Sequence, residues 1–257
     1  MRQDNRVPFE RALHHARVSA FAPGEFVGQE GFMTAGEIRA LAAHAGIGPG
    51  VAVLDLCCGV AGPGCLLTRE LSCAYLGVDH SASALAIARE RAGDLACRFA
   101  IAQVPPLPPA GSFDVVLVLE TMLAFADKDR LVRDVAGALR PGGRFAFTLE
   151  EGLPLTTAER AAMPDADTVW LAPLDEMLAI LERAGLVVTW QQDHSRAHRT
   201  TARALADAFT ADAGGIAARI GRRALDELLA AHRLWIEWLD EQRVRKLVLV
   251  AERPARA

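Results

Sequence analysis

Strand-length apolar runs alternate with helical patterns in the middle of this chain, and this alternation constrains the fold more than any other feature. The runs lie at residues 51–57, 74–80, 97–103, 113–120 and 144–151. Strands that are apolar on both faces are typical of a parallel sheet covered by helices on both sides. The sequence therefore predicts an α/β fold with a doubly wound sheet, whose ligand site lies at the carboxyl ends of the strands.

The segment before the first strand, residues 1–50, is predicted to be helical and peripheral. Thr34 and Glu37 have the spacing of a capping box at the start of a helix, and Gly46 follows where that helix would end. A later helix over residues 127–140 is expected to end at the Pro-Gly-Gly of residues 141–143.

The second half departs from this alternation. A helix is predicted over residues 171–186, with Leu174, Leu178 and Leu181 on its apolar side, and a sixth strand follows. The next stretch is mostly helical and precedes a seventh strand, so it would cover the edge of the sheet as a lid. We expect a closing segment at 1–50, a sheet core at 51–197, a helical lid at 198–241, and the final strand with its tail at 242–257.

Composition and charge exclude several classes of protein. An apolar content of 51% with 23% charged residues is typical of a globular chain with a sizeable core. The net charge of −4 argues against a nucleic-acid partner, and no apolar run approaches the about 20 residues of a membrane span. The N-terminal sequence shows no secretory signal, and five cysteines without paired C-x-x-C motifs indicate reduced thiols. We expect a cytoplasmic protein with neither nucleic acid nor membrane as partner.

The stretch V-L-D-L-C-C-G-V-A-G-P-G, residues 53–64, indicates a nucleoside site. Small residues after a buried strand let the backbone approach a ligand, and the next helix presents free N–H groups. The spacing of Gly59, Gly62 and Gly64 is neither a G-x-G-x-x-G fingerprint nor a P-loop. Asp79 ends the second strand, where a carboxylate can accept both hydroxyls of a ribose.

Together with G-V-D-H-S, S-F-D-V-V and L-R-P-G-G-R-F, this stretch resembles the successive motifs of class I S-adenosylmethionine-dependent methyltransferases. The resemblance covers roughly residues 25–253. It implies a Rossmann-like seven-stranded sheet, S-adenosyl-L-methionine as cofactor and S-adenosyl-L-homocysteine as product. F-V-G-Q-E-G-F-M-T, residues 26–34, is similar to a segment that closes over cofactor and substrate in the small-molecule members.

The resemblance also implies which residues bind the cofactor. They are Asp55, Leu56, Cys57 and Gly59 at the methionine end, Asp79 at the ribose, His80, Gln103 and Val104 at the adenine, and Leu119 with Glu120 facing the methionine end and the substrate mouth. Gln103 stands where the family usually has Asp, and its side-chain oxygen can accept the same hydrogen bond. Cys57 and Cys58 occupy positions of small residues, and neighbours on a strand point to opposite faces, so no metal is expected.

Methyl transfer depends mainly on positioning, with a base needed only where the acceptor must lose a proton. The candidate bases are Glu30, Glu120, Glu150, Glu151, His194 and the pair His14 and His15. Of these, His194, Glu120 and Glu30 are assigned as catalytic residues. The residues predicted to line the substrate mouth are Phe26, Phe32, Met33, Phe125 and Trp170.

The sequence thus predicts a cytoplasmic methyltransferase of secondary metabolism, a monomer or homodimer, acting on a small-molecule acceptor. Carbon or nitrogen is favoured as the acceptor atom, because nothing suggests the metal site that catechol-type O-methyltransferases need. L-E-T-M follows the fourth strand instead of an N/D-P-P-Y/F motif, which argues against methylation of DNA bases. The alternatives are an O-methyltransferase, a non-catalytic regulatory protein that binds the same cofactor, and an NAD(P)-dependent oxidoreductase.

Overall fold

The computed structural model describes residues 6–107 and 113–255. Within these residues seven strands form one sheet in the order β3-β2-β1-β4-β5-β7-β6. The strands are β1 (Ala52–Leu56), β2 (Ala74–Asp79), β3 (Cys97–Ile101), β4 (Phe113–Val118), β5 (Leu139–Glu151), β6 (Val187–Asp193) and β7 (Arg245–Glu252). The first five run parallel, and β7 is antiparallel to both of its neighbours.

Ten α-helices accompany the strands in the described part of the chain. They are α1 (Arg6–Ala20), α2 (Ala35–His44), α3 (Gly62–Leu71), α4 (Ala82–Ala92), α5 (Lys128–Ala138), α6 (Thr157–Ala162), α7 (Leu174–Arg183), α8 (Ser195–Ala211), α9 (Ala213–Ile220) and α10 (Arg222–Asp240). The predicted strands and the helices between them are therefore present in the predicted order.

Both faces of the sheet are buried, as a doubly wound sheet requires. Successive strand residues point to opposite faces, so Leu54 belongs to the core under α5 and α7, while Val53 belongs to the core under α2 and α3. The seven-stranded, doubly wound α/β fold is confirmed.

Local sequence signals set several helix boundaries. The Thr34 hydroxyl accepts the Glu37 backbone N–H, and the Glu37 carboxylate accepts the Thr34 N–H, which is the predicted capping box. Ser81 caps α4 through its side chain. Gly46 adopts a left-handed conformation just past α2.

One helix boundary and one residue on a buried helix face were predicted wrongly. Helix α5 ends at Ala138, and the Pro-Gly-Gly of residues 141–143 lies inside β5 rather than in a helix-ending turn. The pairing of β4 with β5 explains this. Phe113 of β4 pairs with Leu139, but Val115 pairs with Arg144, so the β5 residues between these two partners form a bulge. In α7 the buried residues are Met177, Ile180 and Leu181, whereas Leu178 is 37% exposed.

Helices α8, α9 and α10 separate β6 from β7. Helices α8 and α9 pack against α1, and α10 packs on α8 and α9. Their shared core contains Leu13 from α1, Phe209 from α8 and Leu225 from α10. The start of α8 is fastened to β7, because the Lys246 N–H donates to Ser195 Oγ at 2.9 Å and the His194 N–H donates to the Lys246 carbonyl at 2.8 Å. The division of the chain into four segments stays a prediction. Among the described residues, every helix is too short or too polar to cross a lipid bilayer.

Candidate functional site

A cavity of about 460 Å³ opens beside the carboxyl ends of β1, β2 and β4, and we call it the central cavity. It lies where ligands bind to doubly wound sheets. Its lining comes from Phe9 and Arg17 of α1, Gly28 and residues 30–33, residues 57–63, Asp79 and His80, residues 119–121 with 123 and 124, Glu150, His198 and Trp235. Of the residues predicted for the site, Glu30, Phe32, Met33, Cys57, Gly59, Asp79, His80, Leu119 and Glu120 meet here.

The glycine loop, residues 57–63, forms the floor of the central cavity. Strand β1 ends at Leu56, and Cys57, Gly59 and Ala61 then adopt left-handed conformations in quick succession. The Asp79 carboxylate holds this turn, since its Oδ2 accepts the Gly59 N–H at 3.0 Å. The loop is therefore a fixed backbone surface at the sheet edge.

The closing loop, residues 26–34, lies directly on the glycine loop. A Cβ atom built on Gly62 would stand 2.5 Å from the Gly28 carbonyl carbon, so the two backbones touch at this point. Within the closing loop, the Gln29 amide donates to the backbone carbonyls of Glu25 and Met33, both at 2.9 Å. The Glu30 carboxylate extends over the glycine loop, 2.6 Å from where a Cβ on Gly59 would lie.

Glu120 joins the end of β4 to the closing loop. Its Oε2 accepts the backbone N–H groups of Phe32 and of Met33, the latter at 3.1 Å. Its own N–H donates to Thr148 Oγ1, and its backbone is left-handed. A non-glycine residue in that conformation is strained, which is a feature of functional sites in many proteins. The carboxylate that was predicted to be catalytic thus holds the loop that covers the cavity.

The Glu120 carboxylate belongs to a buried charge cluster, which also contains Glu150, His198 and Lys246. The Lys246 ammonium, 1% exposed, donates to Glu150 Oε1 and lies 3.0 Å from Glu120 Oε1. His198 Nδ1 lies 3.5 Å from the same Glu120 oxygen, and the His198 ring packs on Phe32 with 4.3 Å between ring centroids.

Burial and charge set the protonation of this cluster. Burial, together with the Lys246 charge, lowers the pKa of His198 from 6.5 to about 3, so its imidazole is neutral at physiological pH. Burial opposes the charge of Lys246, but the Glu120 and Glu150 carboxylates outweigh that effect and raise the pKa of Lys246. One ammonium thus lies between two carboxylates.

Arg17 brings a second buried charge to the cavity from α1. Its side chain is buried, and Nη1 has no hydrogen-bond partner among the described residues. Burial lowers the pKa of Arg17, and the nearby charges of Glu30 and Glu10 oppose this shift. A buried donor without a partner is costly, so this position is suited to an incoming anionic group.

A neighbouring cavity, also about 460 Å³, shares Cys57, His80 and Ala124 with the central one. It is also lined by Gln103, Val104 and Phe125 of the predicted set, so all three residues predicted to lie at the adenine, His80, Gln103 and Val104, line this cavity. The two cavities are therefore adjacent, with His80 between them.

Four other predicted residues lie outside both cavities. Asp55 and Leu56 are inside β1 and buried in the sheet, where Asp55 accepts a 2.7 Å hydrogen bond from the Tyr75 hydroxyl. Burial raises the pKa of Asp55 to about 7. Phe26 packs on Phe21 at 5.5 Å between ring centroids. Trp170 lies at a separate surface depression under the guanidinium of Arg160.

His194 also lies away from the central cavity. It precedes α8, and its Nδ1 is 2.8 Å from Glu37 Oε1, so it ties the start of α8 to the capping box of α2. Burial alone would raise the pKa of Glu37, but the adjacent His194 ring and the Thr34 N–H outweigh burial and lower that pKa. The histidine that reaches the cavity is His198, one helical turn further along α8.

Sequence reasoning missed Arg17, His198 and Lys246, and it considered Glu150 without selecting it. For His198 a signal existed, because residues four apart lie on one face of a helix and α8 follows strand six. For Lys246 no local signal exists, since its role depends on the register that pairs it with Glu150.

The two adjacent cysteines lie beyond the end of β1, so the premise that they are neighbours on a strand was wrong. Burial raises the pKa of the Cys58 thiol, whose sulfur packs against Gly77. The described residues contain no cluster of histidine, cysteine and carboxylate side chains arranged to hold a metal ion. A packing role for Cys58 follows from these contacts.

Part of the chain is similar in sequence to known methyltransferases. The family model described as a methyltransferase domain matches residues 53–143, which include the glycine loop and Asp79. The methyltransferase GfsG of Streptomyces halstedii is 31% identical over 175 residues, or 63% of this chain and 62% of that protein. The 27-O-demethylrifamycin SV methyltransferase of Amycolatopsis mediterranei (strain S699) is 33% identical over 61% of each chain. The match thus spans about three fifths of these relatives.

A solved structure extends the likeness to the whole fold. Haemonchus contortus phosphoethanolamine N-methyltransferase 2, in complex with phosphomonomethylethanolamine and S-adenosylhomocysteine, superposes with a TM-score of 0.78 at 18% identity. The superposition covers 95% of this chain and 57% of that one. At that identity the likeness concerns the fold alone, whereas the motif-bearing region is matched in sequence. Residues 53–143 are thus similar in sequence to a methyltransferase domain, and the whole fold is similar to that of solved methyltransferase structures.

Proposed function

We propose that this chain transfers a methyl group from S-adenosylmethionine to a small-molecule acceptor, a specialised metabolite. The observation that carries the proposal is the central cavity, where the glycine loop, Asp79, the closing loop and the buried charge cluster converge. The two bacterial relatives, one of which is named for a rifamycin substrate, support an acceptor of this class.

The glycine loop fits the cofactor because its glycines expose the backbone, whereas larger side chains would block the close approach of a ligand. Gly59 has a positive φ of 54°, and Gly62 touches the closing loop, so neither position accommodates a Cβ without displacement. Helix α3 follows at once, and no side chain caps its N-terminus. The first N–H groups of a helix have no partner within the helix, so they would be available to a ligand. A backbone cradle of this kind suits the amino-acid part of S-adenosylmethionine.

Polar groups at the two ends of the cavities match the two ends of the same molecule. Asp79 lines the central cavity at the end of β2, where its carboxylate would accept the ribose hydroxyls. Gln103 and Val104 would hold the adenine in the neighbouring cavity. At the opposite end, the Arg17 guanidinium would bind the carboxylate and the Glu30 carboxylate would bind the ammonium.

When bound, S-adenosylmethionine supplies an electrophilic methyl group on a positively charged sulfur. The residues of the chain would position the acceptor and exclude water, which is the main requirement of such a displacement. The closing loop, His198 and Trp235 line the central cavity from three different elements. Glu120 serves as a positioning residue for that cover, since it binds the backbone of the closing loop.

Carbon or nitrogen stays our proposal for the acceptor atom. Oxygen is the second candidate, and the relative whose printed name contains an O-demethyl substrate favours it. The three atoms differ in the mass and chemical shift of the methylated product, so one product analysis separates them.

The proposed function is tested by calorimetric titration with S-adenosylhomocysteine and NAD⁺, followed by incubation with S-adenosylmethionine and a panel of metabolites. We expect S-adenosylhomocysteine to bind, NAD⁺ not to bind, and a methylated product to form. Asp79→Ala should weaken the binding of S-adenosylhomocysteine. Absence of binding by the wild-type chain would refute the proposal. Binding without product from any acceptor would favour the non-catalytic regulatory alternative.

A further inference from the structure

The side chain of Glu150 has one oxygen that accepts no hydrogen bond from the part of the chain that the structure describes. Glu150 lines the central cavity and is 6% exposed, and its Oε1 receives the Lys246 ammonium. Its Oε2 is buried and has no hydrogen-bond partner among the described residues. Leaving a buried carboxylate oxygen unpaired costs free energy that an incoming donor would recover.

In the rest of the buried charge cluster, Glu120 and Lys246 lie against opposite charges or backbone donors, and His198 is uncharged. Glu120 Oε2 accepts two backbone N–H groups, and its Oε1 lies 3.0 Å from Lys246. His198 is neutral, because burial lowers its pKa to about 3. Two carboxylates and one ammonium therefore leave the cluster with one negative charge. A phosphate or carboxylate on the acceptor would be repelled here, whereas a hydrogen-bond donor would be stabilised.

The surroundings of this charge are largely apolar, with Phe32, Leu119, Leu123 and Trp235 also lining the cavity. Thr121 is a further lining residue, and its Oγ1 is buried without a hydrogen-bond partner among the described residues. Glu150 Oε2 can only accept a hydrogen bond, whereas the Thr121 hydroxyl can donate one or accept one. A hydroxyl group can donate to Glu150 and accept from Thr121, whereas an ammonium group brings three donors for these two acceptors and would leave one donor unpaired in an apolar cavity.

We propose that Glu150 and Thr121 bind a hydroxyl group of a neutral, otherwise apolar acceptor. This inference rests on the proposed function and specifies the substrate class of the same site. An acceptor of this class differs from the compound bound in the fold neighbour, phosphomonomethylethanolamine, which carries a phosphate. Lys246 acts as a positioning residue for Glu150, because their residues pair directly across β5 and β7.

The test uses four small probes that share a phenyl ring, namely phenol, anisole, phenyl phosphate and benzylamine. Each is titrated by ligand-observed NMR into the protein saturated with S-adenosylhomocysteine. We expect phenol to bind about tenfold more tightly than anisole, the effect of one hydrogen bond to a charged group. Phenyl phosphate should bind most weakly, because its charge has the same sign as the cluster.

Variants on strand β5 identify the residue responsible. Glu150→Gln should abolish most of the preference for phenol over anisole. Glu151→Gln is the matched control, since Glu151 is the next residue on the strand and pairs with Arg245 away from the cavity. Glu151→Gln should keep the preference. If Glu150→Gln does not fold, Glu150→Asp retains the charge but withdraws the oxygen by one methylene, and it should lose the preference too.

Several results would overturn the inference. They are equal affinities for phenol and anisole, an unchanged preference in the Glu150 variant that folds, and tighter binding of phenyl phosphate or of protonated benzylamine than of phenol. Absence of phenol binding would also overturn it. If S-adenosylhomocysteine itself does not bind, the proposed function fails. If it binds without any preference among the probes, only the substrate class fails.

Discussion

Arg17 illustrates how one buried side chain can distinguish two ligands that share a nucleoside. Its Nη1 lacks a partner among the described residues beside the glycine loop. We predict that Arg17→Gln weakens S-adenosylhomocysteine binding by about 10- to 100-fold, the loss of a charge-assisted hydrogen bond. It should leave the binding of 5′-methylthioadenosine, which lacks the carboxylate and the ammonium, unchanged. Isothermal titration calorimetry measures both affinities.

The control for this prediction is Arg11→Gln on the same helix. Arg11 is exposed, and its partner Glu90 lies 3.9 Å away at the surface. This variant should bind both ligands as the wild type does. Equal weakening of both ligands by Arg17→Gln would contradict the assignment, because it would indicate a displaced loop rather than a lost contact.

His198 gives the folded chain a predictable dependence on pH. Its pKa is about 3 in the folded state, against 6.5 ordinarily, because burial disfavours the charged imidazole. The unfolded chain therefore takes up a proton below pH 6.5 that the folded chain does not, and this contribution lowers stability as the pH falls from about 6.5 towards 3. Above pH 6.5 both states are neutral, and the contribution vanishes.

We predict that the free energy of unfolding falls between pH 7 and pH 5 by about 2 kcal/mol less in His198→Gln than in the wild type. Urea unfolding at pH 7, 6 and 5 measures the difference. His15→Gln, which changes an exposed histidine of α1, should follow the wild type. Parallel curves for His198→Gln and wild type would show that the imidazole is not kept neutral by burial.

At the scale of elements, the contact between the glycine loop and the closing loop is the feature most sensitive to a single methyl group. A Cβ on Gly62 would lie 2.5 Å from the Gly28 carbonyl carbon and 2.7 Å from the Gln29 nitrogen. The closing loop cannot shift locally at Gly28, because the Gln29 side chain is hydrogen-bonded to the backbone on both sides of it, at Glu25 and at Met33. The loops must separate if the methyl group is added.

We predict that Gly62→Ala weakens S-adenosylhomocysteine binding at least tenfold and increases hydrogen exchange in residues 26–34. The clash displaces the cover of the cavity while the helix α3 itself tolerates alanine. Gly137→Ala is the control, because a Cβ there meets nothing within 4 Å and the residue lies in α5. It should bind normally and unfold no more easily than the wild type. Unchanged exchange in Gly62→Ala would contradict the contact.

The boundaries of the elements show which signals are local. The capping box of Thr34 and the cap of Ser81 were predictable, because each depends on residues within one turn. The join of α5 and β5 was not, since the bulge at residues 139–144 depends on pairing with β4. Leu178 was misplaced because the face that α7 buries is set by its packing partners, with Met177 at the centre.

At the scale of the whole molecule, the site is covered by parts from both ends of the chain. Helix α1 packs with α8, α9 and α10, and this group contributes Phe9, Arg17, His198 and Trp235 to the central cavity. The sheet contributes the glycine loop, Asp79 and Glu150. A ligand in the cavity would touch both groups and hold them together, so binding should stabilise the entire fold.

We predict that S-adenosylhomocysteine at a hundred times its dissociation constant raises the unfolding temperature by about 5–10 °C. Hydrogen exchange should slow in the closing loop and in the first turns of α8. Differential scanning fluorimetry and exchange mass spectrometry provide the two measurements. NAD⁺ at the same concentration is the control and should shift neither quantity. A thermal shift without protection of α8 would argue against a cover formed by that helix.

The buried charge cluster depends on the whole molecule in a different way. Glu120 follows β4, Glu150 lies in β5, Lys246 in β7 and His198 in α8. The antiparallel register of β5 and β7 pairs Glu150 with Lys246 and so forms the buried ion pair. The same register pairs Glu151 with Arg245, which form a second ion pair outside the cavity. A shift of one residue in that antiparallel pairing would exchange the inward and outward carboxylates.

The sequence by itself determined the alternation of strands and helices, the glycine loop and the acid at the end of β2, because these follow from short-range periodicity and from the rule that parallel strands end together. The tertiary structure alone decided which acid faces inward, which histidine reaches the cavity and which arginine has a nitrogen without a hydrogen-bond partner among the described residues. Those outcomes depend on strand register and helix docking between residues more than 90 positions apart in the chain, such as Glu150 and Lys246. No local pattern records such contacts, since the energy that selects them belongs to the packed fold as a whole.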